Sequence, residues 1–211
     1  MSAVQLQHRM SFADTELIDK ATQTGRNVVI YASHYGNWEW ITSMGLWCGN
    51  PANVVYSHVY RPLRNTWFDR WFVNLRSRYN VSIPMHDVFR RLLQWRSDNI
   101  SWVCGFLSDQ KPSHAGKIYN VPFMSRSTPF IGGTEQLARK LDAVVMYFDT
   151  EVTGRGRYHT TIRMLSEHPN TLPEGELTRM YAAALEEQIR RSPSAYLWSH
   201  NRWKLSKKDL K

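Results

Sequence analysis

Apolar positions along this chain follow two rhythms. Runs such as Val28-Val29-Ile30-Tyr31-Ala32 are continuously apolar, as strands covered on both faces are, whereas residues 63–75 repeat apolar side chains every three or four positions, as one face of a helix does. Reading both patterns along the chain predicts a short helix over 14–22 closed by Gly25, then a buried strand over 27–33 that ends at His34. Asn37 is placed to cap a helix running to Cys48, with Gly49 as its stop, and residues 53–58 read as a second strand. Pro62 sits as a first-turn proline before the stripe Leu63, Trp67, Phe68, Trp71, Phe72 and Leu75, whose period predicts a helix with a packed face. A strand over 81–85, a helix over 87–96 and the apolar run 100–107 repeat the rhythm. Residues 110–128, with Pro112, Gly116 and Pro122, read as a polar loop and 129–141 as a helix. Residues 143–152 and 157–165, joined by Thr153-Gly154-Arg155-Gly156, form the clearest hairpin, and 175–191 the last long helix. Strands alternating with helices and closed by a hairpin predict one α/β domain with a mixed, mainly parallel sheet flanked by helices.

Composition narrows the classes. The 211 residues are 42% hydrophobic and 13% aromatic, enough for one globular core. Cys48 and Cys104 lack metal or redox spacing and read as reduced fillers. A net charge of +9 favours an anionic partner: nucleic acid, anionic lipid, a phosphorylated substrate or an acidic carrier protein. No stretch reaches the ~18 to 20 consecutive apolar residues of a bilayer crossing, yet the nine Trp, ten Tyr and many Arg are the residues that settle at a headgroup layer. No two histidines have ligand spacing on a common helix, so neither a metal nor any other cofactor is expected. The aromatics of 67–79 follow helical spacing and no nucleic-acid motif is present, which argues against a basic nucleic-acid-binding module.

The candidate chemistry lies in Tyr31-Ala32-Ser33-His34-Tyr35-Gly36-Asn37-Trp38-Glu39-Trp40, where a buried strand gives way to the next helix. An imidazole titrates near neutral pH, and a carboxylate on its second ring nitrogen fixes the tautomer and supports the imidazolium. His34 is the one histidine with an acid five residues on, Glu39, so the pair reads as a general base and its orienter. An alcohol is a poor nucleophile near neutral pH, and a positioned base typically contributes ~10² to 10⁴-fold. An oxyanion would need donors, from backbone N–H groups near Asn37 or from a guanidinium such as Arg76.

Taken together, His34-Tyr35-Gly36-Asn37-Trp38-Glu39, Val59-Tyr60-Arg61-Pro62-Leu63-Arg64-Asn65, Arg76-Ser77-Arg78, Ser108-Asp109-Gln110, Val121-Pro122-Phe123 and Trp198-Ser199-His200-Asn201-Arg202-Trp203-Lys204 resemble, in order and spacing, the bacterial lipid A biosynthesis acyltransferases. The resemblance implies transfer of a fatty acyl chain from an acyl carrier protein thioester to a hydroxyl of a lipid A precursor, without an acyl-enzyme, at the cytoplasmic face of the inner membrane. It implies His34 as base, Glu39 as its partner, Arg76 as an arginine needed for activity and Asp109 as the aspartate after the central strand. Arg61, Asn65, Arg78, Arg202 and Lys204 would then be substrate contacts. N-acylation of an aminolipid headgroup needs the same base and stays open. The chain is read as a single acyltransferase domain over residues 1–211, peripheral to the membrane, without the N-terminal anchor usual in the family; Asn201 stands where the family more often has a basic residue.

Overall fold

A computed structural model describes residues 1–49, 53–112 and 116–203. Seven strands, β1 (Met10–Ala13), β2 (Val28–Ala32), β3 (Val54–Tyr60), β4 (Val81–Pro84), β5 (Ser101–Leu107), β8 (Val144–Gly154) and β9 (Arg157–Ser166), form one sheet in the order β1-β9-β8-β2-β5-β3-β4. Every neighbouring pair is parallel except the β8–β9 hairpin. The fold is therefore α/β with a mainly parallel sheet in a single compact domain, as the alternation of elements predicts.

β2 lies near the centre and all five of its residues are buried, which accounts for its unbroken apolar run. Its side chains divide by parity: Val29 and Tyr31 join a core with α4 (Val88–Ser97), α5 (Gly133–Leu141) and α6 (Glu176–Arg191), while Val28, Ile30 and Ala32 join a core with α1 (Ala3–Gln7) and α2 (Glu16–Gln23). Both faces of the sheet are thus covered.

Several boundaries depart from the sequence reading. The helix expected after Asn37 is a 3-10 helix, Trp38–Leu46, with no side-chain cap. The Thr42 and Ser43 hydroxyls donate to the carbonyls of Glu39 and Trp40 at 2.8 and 2.6 Å, local bonds that compete with an α-helical ladder. The expected loop 110–128 contains β6 (Ile118–Phe123), which pairs with β7 (Arg126–Ile131), so α5 starts after that hairpin and not at Pro129. Its turn residues Met124 and Ser125 hold φ of 51° and 61°, the double positive φ of a type I′ turn that Asn-Gly usually supplies.

Pro62 precedes the helix it was expected to start. Asn65 caps α3 (Thr66–Arg76) by accepting from the Trp67 and Phe68 amides. The expected packed face of α3 is the largest correction: no residue of this helix is buried, and Trp67, Phe68, Trp71 and Leu75 are exposed. Among the described residues, no helix is long and apolar enough to cross a membrane.

Candidate active site

Parallel pairing of β2 with β5 sets Ala32 opposite Leu107, so two residues beyond each strand end His34 lies beside Asp109, 75 positions away in the chain. The Asp109 carboxylate accepts twice from that residue, from the His34 backbone amide at 3.1 Å and at Nδ1 at 2.7 Å. A carboxylate oxygen is an acceptor, so Nδ1 is the donor of this pair and Nε2 is the ring nitrogen left outside it. Asp109 is 2% exposed and His34 15%. The Gln110 side-chain amide stands 3.4 Å from Nε2, and the Trp38 ring meets the imidazole edge-on with centroids 5.2 Å apart.

The His34 segment is held from two directions. From α6, the Tyr181 hydroxyl donates to the Ala32 carbonyl at 2.9 Å, and the Ser33 hydroxyl donates to Gln188 at 3.2 Å. From the chain after α6, Leu197 N donates to His34 O and Gly36 N to Ala195 O, while Tyr35 and Tyr196 form an antiparallel bridge. Gly36 has φ +58°, and a Cβ there would come within 2.9 Å of the Tyr158 ring, so this position requires glycine.

Glu39 does not orient His34. Its carboxylate accepts a bidentate pair from Arg76 Nε and Nη2 at 2.7 and 2.6 Å, and among the described residues no hydrogen bond joins it to the imidazole. The local spacing suggested the nearer acid; the sheet register supplies the other one, and α3 brings Arg76 across to neutralise Glu39. Hydrogen bonding to Glu39 holds the Arg76 guanidinium above its ordinary pKa.

His34, Glu39, Arg76 and Gln110 share one cavity of about 260 Å³. Neighbouring strands line it as well, with Ile30 and Ala32 of β2, residues 56–60 of β3, and Val103 and residues 105–107 of β5, beside Phe148, Met44 and Ile41. Most are apolar, so the imidazole of His34 stands beside a greasy slot. His58, missed in the sequence, donates from Nδ1 to Asn80 Oδ1 at 2.9 Å, and its Nε2 accepts from Ser82 at 3.1 Å. Burial pushes its pKa down to about 4, so it stays neutral. Asn80 in turn donates to Thr42 O, tying the 3-10 helix to β3. Neither His58 nor Asn80 had a local spacing to betray it; Gln110 follows Asp109 directly in a stretch singled out from the sequence.

The expected substrate contacts divide. Arg61 is exposed and lines the cavity; Arg78 is exposed, its guanidinium 5.9 Å from the Tyr79 ring centre. Asn65 is committed to capping α3. Arg202 is corrected: it is 3% exposed, its guanidinium donates to the Pro129 carbonyl and lies 4.4 Å from the Phe130 ring centre, so it packs inward and is not presented to a headgroup. Lys204 lies outside the described residues. Among the described residues, no three His, Cys, Asp or Glu side chains gather to hold a metal ion.

Comparison with curated proteins finds no match. Residues 1–205 match the family described as bacterial lipid A biosynthesis acyltransferase. That match spans the sheet, the His34–Asp109 pair and the segment after α6, and the chain therefore belongs to the bacterial lipid A biosynthesis acyltransferases.

Proposed function

We propose that this acyltransferase moves a fatty acyl chain from an acyl carrier protein thioester to a hydroxyl of a lipid A precursor, at the cytoplasmic face of the inner membrane. The observation that carries the reading is an imidazole whose Nδ1 is fixed on the Asp109 carboxylate and which lines a largely apolar cavity. In this reading Nε2 takes the proton of the acceptor hydroxyl as its oxygen attacks the thioester carbonyl. The tetrahedral oxyanion collapses, the C–S bond breaks, and the departing thiolate takes the proton back from the imidazolium. Asp109 supports the imidazolium charge, and the Gln110 amide beside Nε2 supplies a donor to the oxyanion. No side-chain nucleophile is needed, which agrees with the absence of a cysteine or serine partner on His34 among the described residues.

The apolar walls suit the acyl chain, and Glu39 paired to Arg76 lines the same slot with its charge already neutralised. Arg61 and Arg78 are placed in this reading as contacts to phosphate on the acceptor. The test is acyl transfer by purified protein from acyl carrier protein thioester to a lipid A precursor, followed by mass spectrometry of the lipid. Wild type is expected to transfer and His34→Ala to lose ~10² to 10⁴-fold in kcat. Near-normal turnover by His34→Ala would remove the base and with it the proposed mechanism.

A further inference from the structure

α3 carries its largest apolar side chains outward. Trp67 is 65% exposed and Trp71 50%, and with Leu75 they form an i, i+4, i+8 row, joined by Phe68 beside Trp67 and by Leu63 just before the helix. The opposite side of the same helix holds Asp69, Val73 and Arg76, all partly buried, with Arg76 reaching the Glu39 carboxylate at the cavity. An isolated indole on a surface needs no account, but a row of four large apolar residues on one helix does.

Charge specifies the occupant. Arg61, Arg64, Arg70 and Arg78 flank the row and are exposed, while the one acid of the helix, Asp69, is turned to the Leu63 amide at 2.7 Å. A second copy of a chain with a net charge of +9 would set these arginines against their own kind. Indoles flanked by guanidinium groups match the boundary of an anionic bilayer, where rings sit among acyl carbons and arginines meet phosphate. We infer that the outward face of α3 docks on a membrane containing anionic phospholipid, bringing the Arg76 end of the helix, and the cavity it lines, to the lipid surface. The inference rests on the reading of the chain as an enzyme acting on a membrane-borne acceptor, and adds the element that makes the contact.

Flotation with vesicles of phosphatidylcholine and phosphatidylglycerol tests it. Wild type is expected to float with the mixed vesicles, less so as salt is raised, and poorly with phosphatidylcholine alone. Trp67→Ser/Trp71→Ser and Arg64→Glu/Arg70→Glu are each expected to weaken partitioning by about tenfold or more. In Trp67→Phe/Trp71→Phe, binding is expected to persist while fluorescence quenching by brominated acyl chains falls, a readout that does not depend on a damaged fold. Equal flotation of wild type and both double variants, or quenching unchanged by the Phe pair, would overturn the inference. So would a dimer dissolved by the Trp67→Ser/Trp71→Ser change in a protein that ignores vesicles. His34→Ala separates the two readings: it is expected to float like wild type, so absent transfer with intact flotation tells against the chemistry alone.

Discussion

Asp109 faces two N–H donors at once, the His34 amide and Nδ1, and only a carboxylate can accept from both. Asp109→Asn must turn its own NH₂ toward one of them, which either breaks the backbone bond or reverses the tautomer and points the proton at the cavity. The expected outcome is a kcat loss of ~10² to 10⁴-fold with a smaller change in KM, read by steady-state transfer kinetics. Glu39 and Arg76 form a pair with 33% and 26% side-chain exposure, so solvent screens it. Glu39→Gln and Arg76→Gln should each lower stability modestly and combine with a coupling of roughly 0.5–1 kcal/mol in a denaturant double-mutant cycle. Gly36→Ala meets both the left-handed backbone and the Tyr158 ring, and should cost about 1–2 kcal/mol by the same measurement.

At the scale of elements, β2, β3 and β5 together line the cavity, and Gly105 is the position among them without a side chain. A Cβ there makes ordinary van der Waals contact with the Ser57 carbonyl at 3.8 Å and the His58 Cβ at 4.0 Å, so β5 accommodates it, and a longer side chain is set to occupy part of the cavity that Gly105 lines. On the proposed function, Gly105→Leu is expected to keep the fold and shift the preferred donor toward shorter acyl chains, measured by competition between carrier thioesters of different length. The elements that were legible in the sequence had strong local signatures: β2 and β5 as apolar runs, and the β8–β9 hairpin through its Gly-rich turn. The β6–β7 hairpin was hidden because Met124 and Ser125 give no turn signal and Pro122 and Pro129 argue against strands. The period of α3 was legible but its direction was not, since a 3.6-residue repeat defines a face without saying what covers it. His34, Arg76 and Asp109 were readable as candidates, whereas the His34–Asp109 contact depends on the register of two strands that no local spacing encodes.

For the whole molecule, the acid side of the stability curve should report on His58. Its pKa is held near 4 by burial, below the ordinary 6.5, so the unfolded chain binds a proton that the folded chain refuses across that window. Stability from this source is complete above about 6.5 and is lost as pH falls toward 4. Thermal unfolding followed from pH 7 to 4 should therefore show a shallower decline for His58→Gln than for wild type. The backbone around His34 has a different dependence, on residues far along the chain: Ala195, Tyr196 and Leu197 grip the segment that carries the imidazole. While those residues are still inside the ribosome the nascent polypeptide has its His34 segment unbraced, so the local geometry around the imidazole forms only after Leu197 has emerged.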